Sequence, residues 1–270
     1  MKRYIYLMTS LICLAALFSC GKSEPEEEPE HKTREKATVL KDRIIHSDVM
    51  DMDIKYSIWL PPEYKEDGSY PVLYLLHGYE FMEADAKDAH NGWLSKGNLN
   101  AKASEYVWDG GVPFIIVTPN GQNAFYKDGN DSRQLKYGTF FLEEFIPQIE
   151  QKYGGNGKRA IAGLSMGGYG TLYHTLLNPS KWTYAYGCSP AIMDLEIMVK
   201  SCDKSKLPGI TLETGIDDTT VSLQSVTHFS DILKENGINH ELITRNGGHT
   251  WPFWQACLPK ILKKTGESFR

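Results

Sequence analysis

A chain of 270 residues with 41% hydrophobic side chains is long enough to bury one full core. Its formal net charge is −5 and it has no cluster of basic residues, which argues against a surface that follows nucleic-acid phosphates. No His-Glu-x-x-His, Cys-x-x-Cys or glycine-rich phosphate-loop motif occurs. We therefore expect no metal, no cofactor and no nucleic-acid partner.

The N-terminal residues have the composition of an export signal. Lys2 and Arg3 precede an apolar run over residues 5–18, which is 14 residues long and shorter than the ~20 residues of a membrane-spanning helix. Cys20 follows this run, as in a bacterial lipobox, where the cysteine becomes lipidated. We predict a signal peptide over residues 1–19 and an exported protein held at a membrane by lipid on Cys20. In the alternative, the protein is secreted and Cys20 only lies near the cleavage site.

Residues 20–36 are predominantly charged and contain two prolines. Charge repulsion and proline stiffness predict an extended tether, which would hold the following domain away from the membrane surface in the periplasm or at the cell surface. Residues 37–270 show no internal repeat. We predict that they form one domain.

Strand-like and helix-like segments alternate along this domain. The predicted strands cover residues 53–60, 72–77, 114–118, 158–162, 184–188 and 238–245, with another beginning at residue 210, and the predicted helices cover residues 139–153, 166–177, 221–236 and 252–264. The alternation of strands and helices predicts an α/β fold with a mostly parallel central sheet and helices on both faces.

One serine, Ser165, lies between two glycines where a predicted strand meets a predicted helix. The sequence Gly163-Leu-Ser-Met-Gly167 has the Gly-x-Ser-x-Gly pattern of a nucleophile elbow. Such a turn strains the serine backbone, and the glycines let neighbouring backbone pass without a Cβ clash. The pattern predicts a catalytic nucleophile above the positive end of the next helix. In the alternative, the segment is a glycine-rich turn with a capping serine.

A serine nucleophile needs a base, and the base needs an orienting acid. The acid and then the histidine are expected at the ends of later strands. The strand that begins at residue 210 is followed by Asp217 and Asp218, and the next strand ends at a Gly-Gly pair before His249. We predict His249 as the general base and Asp218 as its acid. Asp217 remains the alternative acid, and Glu213 is a remoter one.

The tetrahedral intermediate of acyl transfer needs two N–H donors for its oxyanion. One is expected directly after the nucleophile, at the amide of Met166. A buried-type strand ends in His77-Gly-Tyr79, and we predict that the Tyr79 amide is the second donor. His77 then orders this loop and takes no part in proton transfer.

Five segments carry a family resemblance over about residues 38–265. They are Tyr74-Leu-Leu-His-Gly-Tyr79, Thr118-Pro-Asn-Gly-Gln-Asn-Ala-Phe-Tyr126, Phe140-Phe-Leu-Glu-Glu-Phe-Ile-Pro-Gln-Ile-Glu150, Arg159-Ala-Ile-Ala-Gly-Leu-Ser-Met-Gly-Gly-Tyr-Gly170 and Gly247-Gly-His-Thr-Trp251. In these segments the chain resembles the esterase D family of α/β-hydrolases, which includes S-formylglutathione hydrolases, feruloyl and acetyl-xylan esterases, and bacterial mycolyltransferases. The resemblance implies the α/β-hydrolase fold and a triad of Ser165, Asp218 and His249. Many relatives have glycines after the His-Gly-x segment, whereas this chain has Glu80 and Phe81.

Aromatic side chains in the predicted loops indicate the substrate. They are Trp93, Trp108, Tyr126, Trp251 and Trp254. Exposed aromatic rings stack on sugars and aryl groups, although each of these could instead pack in the core. An exported enzyme encounters polymers outside the cytoplasm, such as plant polysaccharides. It would not encounter S-formylglutathione, which is a cytosolic substrate. We therefore predict a serine esterase that acts through an acyl-enzyme on feruloyl or acetyl esters of polysaccharides.

Two other functions fit the same residues. An acyltransferase would pass the acyl group to a sugar hydroxyl instead of water. A noncatalytic glycan-binding lipoprotein would keep the scaffold alone, but it has no need of a strained serine with a base and an acid.

Overall fold

One mixed sheet organises the residues that the computed structural model describes, 34–129 and 132–270. The strands are β1 (Thr38–Ser47), β2 (Met52–Leu60), β3 (Tyr70–Leu76), β4 (Ile115–Pro119), β5 (Gly155–Leu164), β6 (Tyr184–Cys188), β7 (Gly209–Gly215) and β8 (Glu241–Arg245). The α-helices of this part of the chain are α1 (Glu83–Ala86), α2 (Gly92–Ser95), α3 (Leu99–Trp108), α4 (Tyr137–Thr139), α5 (Ile146–Tyr153), α6 (Met166–Leu177), α7 (Leu195–Ser201), α8 (Leu223–Glu235) and α9 (Trp251–Ser268). A π-helical turn, Phe140–Phe145, joins α4 to α5.

The strands have the order β1-β2-β4-β3-β5-β6-β7-β8 across the sheet. The six strands from β4 to β8 in this order are parallel to one another. At the other end of the sheet, β2 is antiparallel to both of its neighbours, the edge strand β1 and β4. Parallel neighbours need crossover connections, and helices supply them, as α6 does between β5 and β6. The predicted mostly parallel sheet is confirmed.

Apolar side chains cover both faces of the sheet. Along β3, Val72, Tyr74 and Leu76 belong to one buried cluster, and Leu73 and Leu75 belong to the other, because successive side chains of a strand point to opposite faces. Residues of α5, α6 and α8 complete the first cluster, and residues of α3 and α9 complete the second. The predicted helices on both faces are therefore confirmed.

β1 and α3 were not predicted from the sequence, because neither has a clear apolar periodicity. β1 lies at the sheet edge and is mostly exposed, and a bulge between Leu40 and Arg43 breaks the alternation that identifies strands. In α3 the buried residues are Leu99, Ala103 and Ser104, which form a narrow stripe. By contrast, the helix predicted over residues 166–177 agrees with α6.

The predicted signal peptide, the lipidation site Cys20 and most of the tether lie outside the described residues. At the first described residues, the Arg34 guanidinium lies over the Trp108 ring, 5.2 Å from its centroid, and the Glu35 carbonyl accepts a hydrogen bond of 2.9 Å from Trp108 Nε1. Trp108 therefore packs against the first described residues of the domain, and it is not among the residues that line the pocket containing Ser165, against the prediction that it binds substrate. Along the described residues, no helix is both long enough and apolar enough to cross a bilayer.

Candidate active site

Ser165 lies in the sharp turn between β5 and α6, with φ 52° and ψ −115°, a conformation that strains any residue with a Cβ. A Cβ on Gly163 would lie 2.4 Å from the Gly167 carbonyl oxygen, and one on Gly167 would lie 2.5 Å from the Leu76 carbonyl oxygen. The Ser165 amide donates to the Cys188 carbonyl at 2.9 Å, which ties the turn to β6. Crowded backbone thus explains both glycines of the motif.

The Ser165 hydroxyl, the His249 imidazole and the Asp218 carboxylate form one hydrogen-bonded chain. His249 Nε2 lies 2.9 Å from Ser165 Oγ, and His249 Nδ1 lies 2.8 Å from Asp218 Oδ2. A proton on Nδ1, directed at the carboxylate, leaves Nε2 to accept the serine proton. The Asp218 side chain is fully buried, whereas that of His249 is 14% exposed. The imidazole is therefore accessible from outside the protein, whereas the carboxylate is not.

The adjacent acids Asp217 and Asp218 point to different partners. Asp217 Oδ2 accepts a hydrogen bond of 3.0 Å from the Gly247 amide. Asp218 Oδ1 accepts bonds from the amides of Thr220 and Val221 at 3.0 and 2.8 Å, which leaves Oδ2 for the imidazole. Of the two acids, Asp218 is the one that reaches His249.

Glu213 on β7 is the buried member of an ion-pair network that reaches β6, β8 and α9. Its carboxylate accepts hydrogen bonds from Tyr186, Arg245 and Lys260. Burial opposes the charge of Glu213, but these donors together hold its pKa below the usual value. With its carboxylate occupied in this way, Glu213 is not the acid beside His249.

A side chain from a distant loop clamps the segment that carries Tyr79. Asn123 Oδ1 accepts a hydrogen bond of 3.1 Å from the Glu80 amide, and Asn123 Nδ2 donates to the Glu80 carbonyl at 2.8 Å. The Glu80 amide is thereby engaged, so Tyr79 is the better placed of the two to offer an N–H to an oxyanion. Met166 is the first residue of α6, where an amide has no intrahelical partner.

His77 orders the same loop from inside the protein. Its Nε2 accepts a hydrogen bond of 2.7 Å from the Gly121 amide, and its Nδ1 donates to the Gly78 carbonyl at 2.6 Å. Burial lowers the pKa of His77 to about 4, so the ring is neutral at neutral pH. The Tyr126 hydroxyl accepts from the His77 amide at 3.0 Å. His77 thus has contacts of a structural residue.

A pocket of about 590 Å³ opens above Ser165. Trp251 and Trp254 form one wall, with Val221 also in the lining. The Trp254 ring stands edge-on to the His249 imidazole, with centroids 4.9 Å apart and an interplanar angle of 87°. An aromatic and apolar wall beside the His249 imidazole suits an aryl or a small acyl group.

Two of the aromatic residues predicted to bind substrate belong to the core instead. Trp93 is 0% exposed, and its Nε1 donates to the Leu76 carbonyl at 3.0 Å. Tyr126 is equally buried, and its hydroxyl bonds to the backbone of His77. Both predictions are wrong, because the two rings are buried in the core and their polar atoms form hydrogen bonds within the protein.

Two further residues beside the site, Phe81 and Asn123, were not predicted from the sequence. Phe81 is 89% exposed and lines the pocket, yet in the sequence it stood out only as a departure from the family pattern. Asn123 has φ 54°, and its signal was a turn-type segment in which Asn tolerates positive φ. Its partner Glu80 is 43 residues away, and no local pattern predicts that pairing.

Among the described residues, one group has the spacing of metal ligands. Asp42, Asp88 and His90 place their ligand atoms within 4.8 Å of one another. His90 Nε2 donates to Asp42 at 2.9 Å, and Lys55 pairs with Asp88 at 3.3 Å, so protein partners already satisfy these groups. None of the three lines the pocket above Ser165.

Comparison with known proteins agrees with this geometry. A family model described as "Putative esterase" matches residues 47–265. An endo-1,4-beta-xylanase/feruloyl esterase of Xylanibacter ruminicola is 28% identical over 203 residues, which are 71% of this chain and 26% of that protein. An acetyl esterase of Caldicellulosiruptor saccharolyticus is 26% identical over 231 residues, with 69% of this chain and 80% of that protein covered. The chain thus spans about a quarter of the first relative and most of the second.

Solved structures show the same architecture. A ferulic acid esterase superposes with a TM-score of 0.76 at 28% identity, covering 87% of this chain and 99% of that one. An S-formylglutathione hydrolase from Agrobacterium tumefaciens superposes with a TM-score of 0.67 at 18% identity, covering 87% and 95%, and shows a shared fold alone. The predicted α/β-hydrolase fold is confirmed.

Proposed function

The chain belongs to the Esterase family, and on this premise we propose that it hydrolyses carboxylic esters through an acyl-enzyme on Ser165. The observation that carries the proposal is the hydrogen-bonded chain from Ser165 Oγ through His249 to Asp218. A serine hydroxyl is a weak nucleophile at neutral pH, and an imidazole at hydrogen-bond distance removes its proton as it attacks.

In the first step Ser165 Oγ attacks the ester carbonyl while His249 Nε2 takes its proton. Asp218 holds the imidazole in the required tautomer and stabilises the imidazolium that forms. The amides of Met166 and Tyr79 donate to the oxyanion of the tetrahedral intermediate. His249 then protonates the leaving alcohol, and the acyl group stays on Ser165.

In the second step a water molecule takes the place of the alcohol. His249 Nε2 removes its proton as the water attacks the acyl carbon, and the same amides hold the second oxyanion. Collapse of this intermediate releases the carboxylic acid and returns the proton to Ser165 Oγ. Both steps use one base and one oxyanion site, so a single pocket suffices.

For the substrate we propose feruloyl or acetyl esters of polysaccharides. The names of the two curated relatives, a feruloyl esterase and an acetyl esterase, support these acyl groups, and so does the aromatic wall of Trp251 and Trp254. We also propose that the protein is exported and anchored through lipid on Cys20, where it meets such polymers. Metabolic labelling with radioactive palmitate tests the anchor: label should appear in the wild type and be absent from Cys20→Ser.

Hydrolysis of p-nitrophenyl acetate and methyl ferulate by a Ser165→Ala variant tests the reaction. We expect a loss of kcat on the order of 10⁴-fold or more with an unchanged circular dichroism spectrum. Ser201→Ala is the matched control, because this serine is exposed at the end of α7. Retained turnover by Ser165→Ala would contradict the proposal. Partition of the acyl group to an added sugar acceptor in preference to water would make the protein an acyltransferase.

A further inference from the structure

Two pockets meet at the loop formed by Tyr79, Glu80 and Phe81. On one side lies the pocket of about 590 Å³ above Ser165, and on the other lies a pocket of about 630 Å³ that extends to Lys55 on β2. All three loop residues line both pockets. A ligand too long for the pocket above Ser165 therefore has a second recess within reach across this loop.

The rim between the two pockets is aromatic and exposed. Phe81 is 89% exposed and Tyr79 is 42% exposed, and their ring centroids lie 5.2 Å apart. Met82, the next residue, is exposed as well. A run of exposed apolar side chains beside a pocket marks a contact surface. The bonds from Asn123 to the Glu80 backbone hold the chain beneath these rings, so the rim is presented on a fixed loop.

The second pocket differs in chemistry from the first. Amide side chains line it. Among its described lining residues there are also three acids, Asp53, Glu80 and Glu83, and three bases, Lys55, Lys87 and Arg133. Two of these charges pair within the pocket wall, Lys87 with Glu83 at 3.5 Å. A pocket with balanced charge and many hydrogen-bonding groups suits an uncharged polyhydroxylated ligand better than a phosphate or an apolar chain.

We propose that the second pocket is a subsite for the sugar residues of the ester substrate, with Phe81 and Tyr79 as the platform on which a sugar ring stacks. This inference rests on the proposed esterase function and adds the glycan side of its specificity. The acyl group occupies the apolar pocket, the ester carbonyl lies at Ser165 Oγ, and the glycan crosses the rim into the polar pocket.

Kinetics of the full chain with matched substrate pairs tests the subsite. The pairs are methyl ferulate with a feruloylated arabinoxylo-oligosaccharide, and p-nitrophenyl acetate with an acetylated xylo-oligosaccharide. For whichever acyl group is cleaved, Phe81→Ala should lower the ratio of kcat/KM for the oligosaccharide ester to that for the simple ester by about 3- to 10-fold. An unchanged ratio would overturn the subsite. Ile197→Ala removes a side chain of α7 that is 74% exposed and lines neither pocket, and it should leave the ratio unchanged.

Binding without turnover separates this inference from the proposed reaction. Titration calorimetry of Ser165→Ala with an unesterified xylo-oligosaccharide should show binding, and adding Phe81→Ala should raise the Kd by about 3- to 10-fold. Equal affinity in the two variants, or no binding by Ser165→Ala, would overturn the subsite. Failure of the wild type to cleave any simple ester would instead overturn the proposed function, and the titration would still decide the subsite.

Discussion

The serine side and the Tyr79 side of the candidate active site are built in different ways. On the serine side, the glycines that permit the turn flank Ser165 within five residues of sequence. On the other side, the amide of Tyr79 is placed by Asn123 and by His77, and the partner of His77, Gly121, is 44 residues away. The turn that carries the proposed nucleophile is thus a local property of the sequence, whereas the proposed oxyanion site is a property of the fold.

Replacing the acids tests the serine side with the largest expected effect. Asp218→Asn should lower kcat by about 10³- to 10⁴-fold, because an amide at this position favours the wrong imidazole tautomer. Asp217→Asn is the matched control, since its carboxylate accepts from the Gly247 amide and does not contact His249. Steady-state hydrolysis of p-nitrophenyl acetate measures both variants. A larger loss in Asp217→Asn would reverse the assignment of the acid.

Removing the clamp tests the Tyr79 side. Asn123→Gly keeps the backbone freedom that φ 54° requires but deletes both hydrogen bonds to Glu80. We expect kcat to fall by about 10- to 100-fold with little change in KM, because a displaced N–H donor weakens transition-state binding. Affinity for a boronic acid, which forms a tetrahedral adduct, should fall in parallel.

Asn98→Gly is the control for this variant, because Asn98 has φ 56° and its side chain makes no cap hydrogen bond. It should leave kcat and boronate affinity unchanged. If Asn123→Gly kept full activity, the oxyanion loop would be held without the clamp, and the contrast between the two sides would disappear.

Lowering the pH tests two buried histidines, His77 on the Tyr79 side and His174 on α6. Burial lowers the pKa of His77 and of His174 to about 4, against an ordinary value of 6.5. The unfolded chain therefore binds protons that the folded chain excludes as pH falls below 6.5, so the free energy of unfolding decreases toward pH 4. Between pH 7 and pH 5 we expect a loss of about 2 kcal/mol for each histidine. Urea unfolding at the two pH values measures it.

The variant His174→Gln sharpens this measurement. Its amide can still donate to the Tyr126 carbonyl, as His174 Nε2 does at 2.7 Å, but it does not titrate. The loss between pH 7 and pH 5 should shrink by about 2 kcal/mol. An unchanged loss would show that other groups control the acid sensitivity.

The same contrast explains what the sequence could predict. Continuous apolar runs identified the buried strands, and the glycines around Ser165 identified the turn, because both signals are local. The burial of Trp93 and Tyr126 could not be predicted, since it depends on which elements pack over each loop. The pairing of Asn123 with Glu80 also escaped, because nothing in either segment specifies the other.

Active-site labelling tests the central claim that His249 activates Ser165. After treatment of the full chain with a fluorophosphonate, intact mass and peptide mapping should show one adduct on the peptide that contains Ser165. The adduct should be absent from Ser165→Ala and form far more slowly in His249→Ala. No adduct in the wild type, or an adduct on another residue that persists in Ser165→Ala, would contradict the account.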